Sequence, residues 1–228
     1  MNDIMLNLIN INDWDSLSCH NFLDEETIRK YSHKLNWHLI SKTQKLSEEI
    51  ILEFEDKINW RYASRYQTLS EYVMCRNERR LCWEWVCEFQ KLSLDFMNKH
   101  IEFLHFSSVC YKQKLSEKFL RDNDSKLDFY YVSVYQKLSE KFMEDYKDKL
   151  SWHYLCSRQF MSDPFITNNK DKIFTHVRQF CKHQKLSINF IKSNMDWLCL
   201  EPLLMNSKFS KSKRAKIKAI YEQYSDLM

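Results

Sequence analysis

Glycine is missing altogether from the 228 residues, where average usage of about 7% would supply roughly 16. Tight hairpin turns, phosphate-binding loops and dinucleotide fingerprints rely on a residue that tolerates positive φ or lets another backbone approach closely. The absence therefore argues against all three together. Proline is nearly absent too, occurring only at Pro164 and Pro202. With so few breakers the chain reads as all-α. It also lacks any run of about 18 apolar residues, so no membrane span is expected. Its first residues, "MNDIMLNLININDW", have neither a basic n-region nor a small-residue cleavage site, and do not read as a signal peptide. The eight cysteines are then expected as reduced thiols in a reducing compartment rather than as a disulfide framework.

An excess of charge is also missing from most of the chain. The formal net charge is +4, and it sits at one end. Residues 206–228 carry Lys208, Lys211, Lys213, Arg214, Lys216 and Lys218 against Glu222 and Asp226, leaving residues 1–205 with equal numbers of bases and acids.

What the sequence has in quantity is one heptapeptide. "QKLSEKF" stands at 113–119 and again at 136–142, with looser copies at 44–50, 67–73, 90–96 and 184–190. Seven positions before the Gln an aromatic recurs every 23 residues, at Trp37, Trp60, Trp83, Phe106, Phe129 and Trp152, and Trp14 precedes them at the same step. Leu46, Leu69, Leu92, Leu115 and Leu138 keep the same step, and Met161 follows them. A fixed period of this length is the signature of a solenoid or array. An eighth copy, "HVRQFCKHQKLSINFI", is displaced by two residues, and a partial ninth is expected to open at "MDWLCL" with Trp197.

Each copy reads as two short helices. Asn36 is placed to cap the first, as are Asp13, Asn59, Asp128, Ser151 and Asp196 in other copies. Trp37, Ile40, Ser41 and Gln44 then fall on one helical face. Ser47 caps the second helix, Glu48 and Glu49 suit its positive end, and Leu46 staples the turn. Pro164 falls in a first turn, where a missing N–H costs little. One first-helix position alternates Ser and Cys, at Ser18, Ser41, Ser64, Cys87, Cys110, Ser133, Cys156 and Cys181, and reads as a small packing position. Helices this short are unstable alone, so the copies must stack. The expected architecture is an α-solenoid of tandem 23-residue helix-turn-helix repeats: an N-terminal cap at 1–12, about eight units over 13–200, and a basic C-terminal capping helix or tail at 201–228.

The pattern D/N-W-x-x-[IVL]-S-x-x-Q-K-L-S-E-E/K-F-[ILM] resembles the "QKLSEEF" helical repeat of proteins of giant nucleocytoplasmic DNA viruses, over about residues 13–200. That resemblance implies an intracellular viral protein built of tandem helical hairpins, and it brings no catalytic residues. The copy at 174–197 departs from the pattern, with Val177 in the Trp place, so a bend or packing defect is expected there.

Catalytic and metal motifs do not emerge. There is no H-E-x-x-H, C-x-x-C or G-x-S-x-G. Cys82, Cys87, His100 and His105 have spacings too loose for a structural zinc site. No enzyme activity, cofactor, metal or small-molecule substrate is expected. Where copies differ is more informative: on a helical wheel the positions one, two, five and six residues after the first-helix aromatic lie opposite the core face, and the second and sixth stand out. These places hold Tyr62 and Tyr66, Trp85 and Phe89, Tyr131 and Tyr135, then Tyr154 and Arg158. Each pair is an i, i+4 ridge. Together they form either a ladder for a protein partner or inter-repeat packing, and the accessibility of Trp85 and Tyr131 discriminates. The basic tail could bind nucleic acid, or be the solvated face of a capping helix, which is the preferred reading. The function expected first is a non-enzymatic scaffold for a protein partner, host or viral. The alternative is a helical-repeat nucleic-acid binder using the ladder and tail, against which the neutral body argues.

Overall fold

The computed structural model describes residues 3–20 and 23–225, and among these every regular element is helical, with no strand. The class is the α-solenoid of tandem helical hairpins that the period requires. The chain divides into two compact units, Met1–Gln113 and Lys114–Met228. The first holds α1 (Asp3–Asn10), then the hairpins α2 (Trp14–Cys19) with α3 (Glu25–Tyr31), α4 (Trp37–Thr43) with α5 (Glu48–Glu53), α6 (Trp60–Tyr66) with α7 (Glu71–Arg76), and α8 (Trp83–Phe89) with α9 (Leu94–Lys99), and ends on α10 (Phe106–Lys112). The second opens on α11 (Glu117–Asp122) and continues with α12 (Phe129–Tyr135) and α13 (Glu140–Asp145), then α14 (Trp152–Arg158) and α15 (Asp163–Asn168). It closes with a short α16 (Lys170–Phe174), α17 (Val177–His183) with α18 (Ile188–Ser193), and α19 (Leu200–Leu204) with α20 (Lys211–Ser225). In the first unit α2, α4, α6, α8 and α10 lie side by side in order, and in the second α12, α14, α17 and α19 do the same.

The caps explain why such short helices begin where they do. Side chains of Asp13, Asn36, Asn59 and Asp128 accept first-turn N–H groups of α2, α4, α6 and α12. Ser47, Ser70, Ser93, Ser116, Ser139, Ser162 and Ser187 do so for the second helices. Pro164 sits in the first turn of α15, where no N–H is lost.

What the caps leave open is the C-terminal end of each first helix, whose carbonyls have no intrahelical partner. The heptapeptide Gln supplies it from the next repeat. Gln67 Nε2 donates to Ser41 O at 2.9 Å and Gln44 O at 2.7 Å, while its Oε1 accepts the N–H of Leu46 at 3.0 Å. Gln90 repeats this on Ser64, Gln67 and Leu69, and Gln113 on Cys87, Gln90 and Leu92. In the second unit Gln159 bonds Gln136 O and Leu138 N. Gln184 and Asn206 carry the carbonyl bonds on at 2.8 Å. Within each unit one amide per repeat thus ties a first-helix end to its neighbour.

The Ser/Cys position does more than stay small, which corrects the reading of it as packing alone. Ser41 Oγ donates to Trp37 O at 2.7 Å and accepts the N–H of Asn59, one repeat on, at 2.9 Å. Ser18, Ser64 and Ser133 are bonded in the same way. Cys87 and Cys181 accept the corresponding N–H at 3.4 Å through sulfur. The site needs a small acceptor. The Glu of "LSE" also reaches forward: Glu71 holds Ser93 through both N–H and O–H, and Glu117 and Glu140 hold Ser139 and Ser162.

Two caps differ from expectation. Ser151 stands at the start of α14 but makes no side-chain cap bond. Asp196 caps nothing, because the ninth hairpin opens three residues later, at Leu200. Trp197 lies in the preceding turn, buried against Phe180 at 5.8 Å. The register follows backbone bonding rather than the indole: Cys199 meets Cys181 at the 18-residue offset of the other repeats. The extra residues of the displaced copy are wound into α16, and the Gln ladder runs on past it through Gln184, which bonds Cys156 O and Gln159 O.

Burial grades the repeated core. Trp60, Trp152 and Phe129 are buried, whereas Trp14, Trp37, Trp83 and Phe106 are half-buried. Four of the indoles close the turn before them, donating Nε1–H to Ser32, Glu55, Glu78 and Lys147 carbonyls. Leu46, Leu69, Leu92 and Leu138 are buried and Leu115 half-buried. Leu69→Ala is therefore expected to cost about 2–5 kcal/mol, with Leu115→Ala at the bottom of that range or below. Urea unfolding of the two variants side by side checks the order.

Candidate functional site

The aromatic positions form one cluster in each unit. In the first, Tyr62 stacks on Trp85 at 6.4 Å and lies 6.0 Å from Tyr66, with His38 edge-on to Tyr62 at 4.6 Å. Tyr66 and Phe89 are exposed by 46% and 42%, and Tyr62 and Trp85 are half-buried. Cations cover the ring faces. Arg61 sits over Trp85 at 4.6 Å, and Arg65 over Phe89 at 4.9 Å, Trp85 at 5.2 Å and Tyr66 at 5.3 Å. Lys42 lies over Tyr62 at 5.8 Å.

In the second unit Tyr131 stacks on Tyr135 at 6.0 Å, and Tyr130 bridges Tyr131 and Tyr154, its hydroxyl 3.1 Å from that of Tyr154. That hydrogen bond raises the Tyr130 phenol above its ordinary pKa. Tyr135 and Arg158 are exposed, and Tyr131 and Tyr154 half-buried. Neither Trp85 nor Tyr131 is fully buried. Across repeats Tyr62 and Trp85 meet face to face, whereas Tyr130 and Tyr154 meet edge to face. Sequence reasoning missed Tyr130 and the cations, because it placed the +1 and +5 positions on the same outward face but followed only the occupants of +2 and +6. His153 and His176 adjoin the cluster, 5.7 Å apart. Burial first, and His153 second, hold His176 below its ordinary pKa.

The tail is split by its contacts. α20 packs on α18 and α19, burying Ile217, with Phe209 buried just before it. Lys213 covers the Phe209 ring and donates to Leu186 O, and Arg214 donates to Asn206 O at 2.9 Å. Burial, with help from Lys185, pushes the Lys213 pKa down. These two cations hold the helix in place. Lys208, Lys211, Lys216 and Lys218 are exposed, Lys218 facing Glu222 at 3.7 Å. Asp226 lies outside the described residues.

The four residues with zinc-like spacing do not converge. Cys87 accepts the His105 N–H, the His105 ring meets Ser108 at 2.9 Å, and the His100 ring lies between Phe96 O at 2.9 Å and Cys75 at 3.7 Å. Among the described residues no group of three or more His, Cys, Asp or Glu is placed to hold a metal ion. All eight cysteines are free thiols. Burial pushes Cys87 up to about 11 and Cys156 and Cys181 to about 12, so they stay protonated at neutral pH. No described helix is long and apolar enough to cross a membrane.

No protein-family model, curated protein or solved structure matches the chain.

Proposed function

We propose that this chain is a non-enzymatic repeat scaffold that binds a protein partner on the first-helix face carrying the aromatic clusters. One observation supports it above the others: rings at one repeat position, Tyr66, Phe89 and Tyr135, are left 42–46% exposed, each beside a half-buried ring at the neighbouring position, Tyr62, Trp85 and Tyr131. Tyr, Trp and Arg dominate interface hot spots, and here they are assembled together. The intracellular viral setting belongs to the same proposal and rests on the resemblance of the repeat.

The test is affinity capture of the tagged chain from cells, with nuclease added to half the lysate. A partner that survives nuclease, and whose recovery falls at least about tenfold with Tyr66→Ala/Phe89→Ala, is the expected result. Recovery indifferent to that pair would reduce the cluster to packing. A second reading, nucleic-acid binding, is favoured by the exposed Lys208, Lys211 and Lys216 alone. Recovery lost on nuclease treatment would promote it.

A further inference from the structure

Along the second helices and inter-repeat turns of the first unit Arg29 is paired across repeats with Glu53, Arg76 with Glu55 and Arg80 with Asp56, while Lys30, Arg79 and Lys99 are exposed and form no ion pair among the described residues. At the opposite edge run the last turn of each first helix and the connection after it, "KTQK" (42–45), "RYQT" (65–68) and "EFQK" (88–91). Here Lys42, Lys45, Arg65 and Lys91 are exposed, and none forms an ion pair among the described residues. Glu88 is the one acid in these stretches, and it neutralises none of them. Between the first two stretches opens a cleft of about 340 Å³ lined by Lys42, Lys45, Tyr66 and Thr68. Arg65 stands beside Tyr66, lying over Trp85 and Phe89.

We infer that this edge of the first unit is the docking site for an extended acidic polypeptide segment of the partner, whose carboxylates meet Lys42, Lys45 and Arg65 and whose apolar side chains lie against Tyr66 and Phe89. The inference deepens the scaffold reading and rests on it. Charge complementarity carries it, since Lys42, Lys45 and Arg65 stand together about the cleft and no carboxylate is paired with them among the described residues. A guanidinium stacked on aromatic rings loses little freedom when it binds, and its N–H fork matches a carboxylate. Single-stranded nucleic acid would need a basic groove tracking its backbone, and residues 1–205 carry equal numbers of bases and acids.

The experiment uses the full chain and fluorescence anisotropy with three labelled probes: a 12-residue peptide of alternating Glu and Tyr, the same peptide with Gln for Glu, and a 12-nucleotide single-stranded oligothymidylate. The acidic peptide should bind at least about tenfold more tightly than either other probe and weaken with salt, as charge-driven binding does. Lys42→Glu/Arg65→Glu should abolish that preference while lowering the thermal unfolding midpoint by no more than about 5 °C, because the fold loses only exposed cation–π contacts. Equal binding of the Glu and Gln peptides, or no effect of the double charge reversal, would overturn the inference. If capture of the nuclease-resistant partner still depends on Tyr66 and Phe89 in that case, the scaffold reading stands without it. Preference for the oligonucleotide, joined to nuclease-sensitive capture, would overturn both.

Discussion

Gln67→Ala is expected to destabilise the first unit by about 3–5 kcal/mol, more than most exposed-helix substitutions and as much as loss of a core side chain. The Gln67 amide is 5% exposed and makes three bonds, to Ser41 O, Gln44 O and Leu46 N. Its removal strands two carbonyls and one N–H in an interface where water has little access. A buried group left unpaired costs roughly 1–3 kcal/mol. Gln67→Met separates bonding from packing, since it keeps length and apolar stem while removing every donor and acceptor of the amide. It should lose nearly as much as Ala. Gln67→Glu adds a pH signature. Its carboxylate would face two carbonyls, so its folded pKa should lie above its unfolded one. Relative to the protonated form, stability is full below the unfolded pKa and is lost as pH rises through the folded pKa. Urea titrations of the three variants at pH 4 and pH 7, with amide exchange at Leu46 as the local probe, read all of this. A Met variant within about 1 kcal/mol of the parent would mean that the ladder adds nothing beyond shape.

That ladder was only half legible beforehand. Periodicity places Gln44 on the same face as Trp37, Ile40 and Ser41, so its burial follows from the helical repeat. Its partners do not. They lie 21, 23 and 26 residues back, as in Gln67 to Leu46, Gln44 and Ser41, and depend on how closely neighbouring helices approach. Caps were legible because their bonds are local: Asp13, Asn36, Asn59 and Ser47 act within three residues of themselves. The ninth hairpin was misplaced for the complementary reason. Trp197 is the loudest local signal, yet a bond from Cys199 back to Cys181 sets the register. The candidate site was legible as a list of positions but not as a surface. Helical wheels put Tyr62 and Trp85 opposite the core face, and only the lateral neighbour decides how much of each ring is covered. The unpaired edge was hidden altogether, since Lys42 and Arg65 look no different in sequence from Arg76 and Arg80, whose carboxylate partners come from the preceding repeat.

Trp60→Ala is the second large loss expected, about 3–5 kcal/mol, as for truncation of a buried aromatic. Trp60 is 5% exposed, its Nε1–H closes the preceding turn on Glu55 O at 3.0 Å, and Arg80 lies over its ring at 5.5 Å. The substitution therefore opens a cavity, frees a turn carbonyl and removes the surface on which Arg80 rests. Trp60→Phe divides these effects. It keeps most of the ring and loses the N–H, so a cost of about 1 kcal/mol is expected, in keeping with Phe106 and Phe129 filling the same place in other repeats. Trp37→Ala, at a half-buried site, should cost less than Trp60→Ala because fewer contacts vanish. In an array held by nearest-neighbour interfaces, losses of this size act on the repeats flanking the substitution. Exchange protection should thus fall in α4, α6 and α8 before it falls in α2. Uniform loss across the first unit would mean that it unfolds as one cooperative block. A Trp60→Ala cost below about 1 kcal/mol would mean that the indole is not part of the core that stacks one repeat on the next.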